Sequence, residues 1–370
     1  MRDLRLAALA CLLGILGCFA PAPTRPDGGR DAGVAALPRC EIHGWPLVEP
    51  PTVLVGAAGV DVDGPLSAAR TVVPMGLALT FDQQLIFTDL ISVVREIDLD
   101  AGVVSTLAGS PRRYGHVDGD LASAEFEFLL AIASSPDGIL VTEDDASLFS
   151  SLGNDVRLID LDAGAVSTLA GDAQDLPSGL AQNVALGLMY GIASIHDAFY
   201  LTDYGRNVIR VVADGGVVVF AGNGTSIDRD GPGTRAGLSR PTGLAAIDGG
   251  LVFTEASGVV RQVDLQGNVT TLTPVNVGGI VDGPLDAGVG LSETYGVAAD
   301  SRGNLFVVDR GNRALRLITG GQMYTLMGSP PCADGGVGSL DTPYGVAVDD
   351  EGNVYVSDSG ANRIWKLKWR

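Results

Sequence analysis

The sequence has few of the side chains on which most catalytic sites depend. Its 370 residues include three histidines and four cysteines, and aromatic residues make up 6% of the chain. A zinc site needs three or four ligands that converge, and a Cys–His or Ser–His pair needs a histidine within hydrogen-bond reach. His43, His116 and His196 are widely spaced and do not indicate such a site. Neither a Gly-x-Ser-x-Gly elbow nor a Gly-Lys-Ser/Thr phosphate loop is present in the sequence.

Positive charge is also scarce. Lys and Arg number 24 against 44 Asp and Glu, which gives a formal net charge of −20. Binding to nucleic acid requires a basic surface that neutralises phosphates, so this composition argues against a nucleic-acid partner. It also disfavours docking on anionic lipid through surface charge.

Long apolar runs are missing except at the N-terminus, where Arg2 and Arg5 precede the apolar run Leu6–Leu16. That run is too short to span a bilayer and is typical of an export signal. It ends in Ile15-Leu16-Gly17-Cys18, which resembles the lipobox of bacterial lipoproteins. The resemblance implies a signal peptide over residues 1–17, lipidation of Cys18 and anchoring in the cell envelope. Phe19 in the next position favours the outer membrane, and the alternative is an ordinary secretory signal.

Residues 18–51 are rich in Pro, Gly, Ala and Asp and show no strand or helix periodicity, which predicts a flexible, lipid-anchored tether. From about Val53 onward a phrase of about 50 residues recurs six times. One copy contains Val166–Gly171, then Tyr190-Gly191-Ile192-Ala193, then Phe199–Asp203, then Asn207–Val211. Each copy therefore predicts four short strands separated by turns.

The repeat region begins and ends with an incomplete unit. The segment Thr52–Gly56 aligns with the fourth strand of a unit, whereas the chain stops after a third strand. We therefore predict an all-β fold over residues 52–370, a six-bladed β-propeller of four-stranded antiparallel blades, in which the N-terminal strand completes the last blade. The first-strand positions that support six blades are Gly76, Ala131, Gly191, Gly243, Gly296 and Gly345.

The recurring pattern Pro-x-Gly-(Ile/Leu/Val)-Ala, an apolar run ending in Thr/Ser/Val-Asp, and Asn-x-x-Ile-Arg resembles the NHL repeat. An acidic residue closes the second strand and a cation follows on the third. The acids are Asp89, Glu143, Asp203, Glu255, Asp309 and Asp358, and the cations are Arg95, Arg157, Arg210, Arg261, Arg316 and Lys366. Because every copy keeps them, we expect the acids to cap their turns and the cations to cover blade edges.

Two cysteines would remain in the mature chain besides Cys18. Cys332 precedes the last blade and Cys40 precedes the strand that closes it, so a disulfide between them would fasten the closure. Two unrelated thiols are the alternative.

Two sets of residues are candidates for ligand binding. Asp118, Asp230 and Asp282 belong to Asp-Gly steps in the loops between blades, where they form either a simple turn or an acidic rim for Ca²⁺ or a basic peptide. Tyr190, Tyr295 and Tyr344 precede the inner-strand glycine and should surround the channel mouth as an aromatic collar, unless each packs under its own loop.

With few catalytic side chains, the sequence favours a non-enzymatic scaffold that binds a protein, peptide or glycan through its loop face. We expect a monomer that needs no cofactor and contacts the membrane only through its lipid, facing the periplasm or the cell surface. The alternative is a metal-dependent hydrolase or lactonase of the gluconolactonase-like propeller type, but no Glu, Asn and Asp ligand set can be assigned to it.

Overall fold

The chain forms a six-bladed β-propeller, as predicted. The structure, a computed structural model, describes residues 47, 49–56, 61–144, 154–171, 179–180, 184–273, 278–328 and 339–369. Six antiparallel sheets follow one another along the chain, and each has its first strand innermost. Within these ranges no helix has the length and apolar character needed to cross a bilayer.

The strands have the following bounds. Blade one contains Gly64–Pro65, Pro74–Leu79, Leu85–Asp89, Val93–Asp98 and Val103–Gly109, and blade two contains Gly119–Asp120, Phe128–Ser135, Gly138–Asp144, Asp155–Asp160 and Ala165–Ala170. Blade three contains Gly179–Leu180, Ile192–Ile195, Ala198–Asp203, Val208–Ala213 and Gly216–Ala221, and blade four contains Gly231–Pro232, Pro241–Ile247, Gly250–Glu255, Val259–Asp264 and Asn268–Thr271. Blade five contains Gly283–Pro284, Thr294–Ala299, Leu305–Asp309, Ala314–Thr319 and Gln322–Gly328, and blade six contains Pro343–Val348, Asn353–Asp358, Arg363–Lys368 and Glu49–Val55. Among the described residues, short 3₁₀ helices cover Gly233–Arg235, Leu285–Ala287 and Ser359–Ala361.

Five blades carry an additional two-residue strand at their outer edge. In blade one, for example, Gly64 pairs with Val104 and Pro65 with Val103. The Asp-Gly steps of the loops supply most of these edge strands, which shield the outer edge of each blade. Within the described residues, the first five blades thus have five strands each instead of the four predicted, and blade six has four.

Blade six is closed by the N-terminal strand, as predicted. Glu49–Val55 runs antiparallel to Arg363–Lys368, with Glu49 opposite Lys368 and Val53 opposite Trp365. The strand begins three residues before the predicted boundary at Thr52. The ring is thus joined by hydrogen bonds between its two chain ends, and the N-terminal strand covers the edge that Arg363–Lys368 would otherwise leave open.

The first-strand glycines determine how closely neighbouring blades approach. A methyl group on Gly243 would collide with the backbone carbonyl of Tyr295, and one on Gly345 would collide with that of Met75. Gly76, Gly191 and Gly296 face the next blade in the same way. Because these contacts lead from five of the six blades to the next one, and among them from blade six to blade one, they hold the ring close around a narrow axis.

Hydroxyl groups on the second strands link the blades. The Thr142 hydroxyl accepts a hydrogen bond from the N–H of Ala131 at 2.9 Å and donates one to the Met189 carbonyl at 2.9 Å. Ser357 bridges Gly345 and Met75 in the same way, which ties blade six to blade one. Blade five has Val308 at this position, so its second strand has no such hydroxyl.

The propeller has two distinct faces. We call loop face the end that carries the long loops between blades, such as residues 110–127, and the loops that follow the second strands. We call turn face the opposite end, which carries the short turns at Asp137, Asp197 and Asp214. The first strands run from the loop face to the turn face.

Candidate functional site

Three tyrosines meet at the loop-face end of the central channel. Tyr190, Tyr295 and Tyr344 each precede the glycine of a first strand, so the repeat places their side chains at the same height in the ring. The ring centroids lie 5.3 Å apart for Tyr190 and Tyr295, 5.2 Å for Tyr295 and Tyr344, and 6.2 Å for Tyr190 and Tyr344. We refer to these three residues as the tyrosine cluster.

The tyrosine cluster closes the channel. Tyr190 and Tyr344 are only 8% and 4% exposed, and they pack with Met75, Phe128 and Leu130 from other blades. The aromatic collar expected from the sequence is thus a compact cluster, in which the rings pack against one another and cover the end of the channel. Beneath it, between the glycines of the first strands, remains a small cavity of about 50 Å³.

Burial keeps the tyrosine cluster uncharged. It raises the pKa of Tyr190 and Tyr344 well above the ordinary value and that of Tyr295 to about 12. The hydroxyl of Tyr344 is buried and has no hydrogen-bond partner within the described part of the chain. The cluster is therefore a neutral, largely apolar surface with one spare phenol hydroxyl.

Two arginines cover the exposed side of this cluster. The Arg310 guanidinium lies 5.0 Å from the Tyr295 ring centroid, and the Arg240 guanidinium lies 5.9 Å from the centroid of Tyr204. Tyr204 in turn stacks edge-on against Tyr190 at 5.1 Å. We call Tyr204, Arg240, Tyr295 and Arg310 the arginine–tyrosine platform. Both of its tyrosines are half-buried, and Arg240 is exposed.

The sequence reasoning missed Tyr204, Arg240 and Arg310. A signal existed, because Tyr204 and Arg310 both directly follow the acid that ends a second strand, and Arg240 directly precedes a Pro-x-Gly step. The repeat therefore places all three at the loop face. What the repeat does not encode is that the side chains lean over the axis and meet.

Asp118, Asp230 and Asp282 lie on the outer part of their blades, away from the tyrosine cluster. The Asp118 carboxylate accepts hydrogen bonds from Arg157 at 2.7 Å and from the N–H and hydroxyl of Thr168 at 3.0 and 3.1 Å. Asp230 and Asp282 repeat this arrangement with Arg261 and Thr271, and with Arg316 and Thr325.

These contacts attach the loop to the blade. Partial burial alone would raise the pKa of Asp118, but hydrogen bonds from Thr168 and Arg157 outweigh it and lower the pKa. The structure thus gives these aspartates a structural role. Ligand binding by them stays a prediction, and we do not include them in the candidate site.

The repeated acids and cations form buried ion pairs inside the blades. Arg157 is paired with Glu143 at 2.6 Å and Arg316 with Asp309 at 2.8 Å, and all four side chains are almost fully buried. The acids also accept backbone N–H groups of the preceding loop, as Asp309 does from Ser292 at 2.8 Å. Asp203 also caps its own turn, since it accepts the N–H of Arg206 at 3.1 Å. The arginines, in contrast, are buried inside the blades and do not cover blade edges, which corrects that part of the expectation.

Blade six departs from this scheme, and the assignment of Lys366 as its cation is wrong. Asp358 is paired with Arg363 at 3.2 Å. Trp365 occupies the strand position that arginine holds in the other blades, and its indole N–H faces the same carboxylate at 3.4 Å. Lys366 instead lies 5.8 Å from the Tyr355 ring centroid, because neighbouring strand residues point to opposite sheet faces.

A second titratable group faces the buried acid in several blades. It is always found two residues before the loop aspartate, as Asp61, His116 and Asp228. Burial, with further effect from Asp228, raises the pKa of Glu255 to about 8. In blade two the hydrogen bond with Glu143 raises the pKa of His116, and its Nδ1 lies 3.2 Å from Oδ2 of Asp155. His116 therefore lies against the buried acids of blade two.

Over the described ranges, no group of three or more His, Cys, Asp or Glu side chains converges so that it could hold a metal ion. Cys18, Cys40 and Cys332 lie outside the described residues. The lipidation and the disulfide predicted for them stay predictions.

Comparisons with known proteins agree with the fold. The NHL repeat family matches residues 340–367. A structural genomics protein of unknown function from Bacteroides thetaiotaomicron has a TM-score of 0.63 at 17% identity, over 86% of this chain and 76% of that one. An auxiliary nutrient binding protein from the same organism has a TM-score of 0.61 at 13% identity, over 86% and 75%.

A putative gluconolactonase has a TM-score of 0.54 at 12% identity, over 88% of this chain and 93% of that one. No curated protein matches the chain. The protein is an NHL-like β-propeller. Because the sequence identities to these solved structures are low, the similarity to them is limited to the fold.

Proposed function

We propose that this protein is an exported, lipid-anchored binding scaffold that holds a protein, peptide or glycan on its loop face. The arginine–tyrosine platform is the observation that carries the proposal. Its half-buried rings and guanidinium groups sit above a closed channel, in a protein whose net charge is −20. Aromatic and arginine side chains are the types most often found at the centre of binding surfaces.

The chemistry of the platform favours a ligand with a flat apolar face next to a hydrogen-bond acceptor or a carboxylate. The phenol rings offer surface for stacking, and the guanidinium of Arg240 offers donors directed at the solvent. Arg310 is held by Glu293 at 3.1 Å, so its position over Tyr295 is fixed before a ligand arrives. A preformed surface of this kind loses little side-chain entropy on binding.

The lipid anchor completes the proposed role. Lipidation of Cys18 would attach the protein to the cell envelope, and residues 18–51 would hold the propeller away from the bilayer. A Bacteroides relative of the same fold is described as an auxiliary nutrient binding protein, which is compatible with a binding role at the envelope. We propose a monomer on the outer membrane that faces the periplasm or the cell surface.

The test is binding to glycan and peptide arrays, followed by titration of each hit. We expect Arg240→Ala and Tyr204→Ala each to weaken binding by about tenfold or more. Phe81→Ser is the matched control, because Phe81 is an aromatic residue 74% exposed in a turn-face turn. Equal losses in all three variants, or turnover of a lactone with a stoichiometric divalent metal, would contradict the scaffold and favour the hydrolase.

A further inference from the structure

A second cavity lies between blades two and three and opens on the turn face. Its volume is about 190 Å³. The wall is apolar and is formed by Leu140, Leu158 and Leu169 of blade two and by Phe199 and Val212 of blade three. This cavity is at the opposite end of the blades from the arginine–tyrosine platform.

Leu140 leaves more room in this gap than the equivalent residue of blade five does in its own. Leu140 lies three residues before the acid of its second strand, the position that Phe306 holds in blade five. Between blades five and six, Phe306 packs edge-on against Trp369 at 6.0 Å, and Leu47 adds to that cluster. Between blades two and three, Leu140 takes the place of Phe306, and the ring of Phe199 in the wall does not fill the space, so the two sheets leave a recess.

Three aspartates surround the opening. Asp137, Asp197 and Asp214 lie in three different turns, and all are exposed. No hydrogen bond or ion pair joins their side chains to another described residue. Other turn-face aspartates differ, since Asp264 and Asp300 accept backbone N–H groups of their own turns at 3.0 Å.

The lining residues include no Lys or Arg, and His196 completes the rim. An apolar recess under three unneutralised carboxylates is complementary to a molecule that has an apolar body and a positive charge at one end.

We propose that this recess is a binding site for a small cationic amphiphile, with an apolar body of about one six-membered ring and a single ammonium or guanidinium group. An apolar cavity of about 150 Å³ can hold benzene, and 190 Å³ leaves space for a short linker to the charge. The ring contacts Leu140, Leu169 and Phe199, while the cation lies between Asp197 and Asp214. The ligand is either a free amine or a basic side chain of another protein.

The experiment uses the full chain and 2-phenylethylamine as the probe, followed by NMR and by thermal shift. We expect a dissociation constant on the order of 1 mM at low salt, weakening as salt is added. 3-Phenylpropionate, which has the opposite charge, is expected not to bind. A capped Gly-Lys-Gly peptide forms the second arm. Tighter binding of this peptide than of 2-phenylethylamine would assign the site to a protein side chain, and weaker or no binding would assign it to a free amine.

Variants locate the site. Asp197→Asn and Asp214→Asn are each expected to weaken binding of 2-phenylethylamine by about threefold, and Ala198→Leu, which fills the recess, to abolish it. Asp248→Asn is the matched control, because Asp248 lies in the corresponding turn of blade four and does not line the cavity. The proposal is overturned if neither probe binds, if the amine and the carboxylate bind equally, or if Asp248→Asn weakens binding as much as the other two.

Discussion

The close approach of neighbouring blades depends on single atoms at the first-strand glycines. Gly243 faces the carbonyl of Tyr295, and its backbone has no positive φ, so a missing methyl group and not an unusual conformation explains the residue. The glycines thus determine the distance between neighbouring blades. Because the tyrosine cluster follows the same strands, this distance also determines whether its rings meet.

We expect Gly243→Ala to lower the free energy of unfolding by about 1–3 kcal/mol, since the added methyl group forces two backbones apart. Urea denaturation measures the change. Gly205→Ala is the control, because no atom lies near the added methyl group and the change should stay within about 0.5 kcal/mol. Equal effects in the two variants would refute the role given to close approach.

The hydroxyl of Thr142 is the second residue on which blade contacts depend. Thr142→Val keeps the shape but leaves the Ala131 N–H and the Met189 carbonyl without this partner, so we expect a loss of about 1–3 kcal/mol in the free energy of unfolding. Thermal or urea unfolding would show it. Thr234→Val, at an exposed position, should have little effect, and a neutral Thr142→Val would show that these hydrogen bonds are not needed.

At the scale of elements, blade four contains a buried carboxyl group, Glu255, whose pKa is raised by burial although Arg261 lies 3.0 Å away. The pKa of Glu255 is raised from 4.5 to about 8. Between these values the unfolded chain releases the proton and the folded chain keeps it. Stability from this group is therefore complete below pH 4.5 and falls as the pH rises through 8. The upper bound of the effect is about 5 kcal/mol.

We expect Glu255→Gln to remove this part of the pH dependence of stability. The stability of the variant should therefore increase relative to that of the wild type as the pH rises from 4.5 to 8. Asp228→Asn should narrow the pH range over which this stability is lost, because it removes a neighbouring charge that raises the pKa of Glu255. The melting temperature measured over this range checks both. A constant difference between wild type and Glu255→Gln at all pH values would be inconsistent with a titrating Glu255.

The elements were largely predictable because the repeat reports strand order and turn chemistry directly. The blade count, the closing strand and the first-strand glycines follow from that pattern. The two-residue edge strands were missed because they are too short to show alternation. Lys366 was misassigned because a one-residue shift along a strand reverses the side chain, and charge alone did not reveal that Trp365 had replaced the arginine.

The candidate site was only partly predictable. Equivalent positions in the repeat placed Tyr190, Tyr295 and Tyr344 on one face, as the structure shows. Whether rings from different blades line an opening or fill it depends on the width of the ring, which no single repeat encodes. Likewise, the recess at Leu140 results from how two neighbouring blades pack together, and no motif within a single blade indicates it.

At the scale of the whole molecule, the closure of the ring connects residues that are more than 300 positions apart in sequence. Thr52 and Lys366 lie opposite each other across the two strands that join the chain ends. The strand Glu49–Val55 belongs in space to the last blade although it comes first in the chain. Its position in the sequence should therefore matter less for stability than its presence in the sheet.

Two variants test this. Removing residues 49–55 should expose the edge of Arg363–Lys368, lower the stability and favour association between copies. Placing the same seven residues after Arg370 through a short Gly/Ser turn should restore the stability, because Glu49 already lies opposite Lys368 and a hairpin can join them. Urea unfolding and light scattering are the measurements. If the relocated strand gives no rescue, the strand contributes through something other than its pairing with blade six, and the account of ring closure fails.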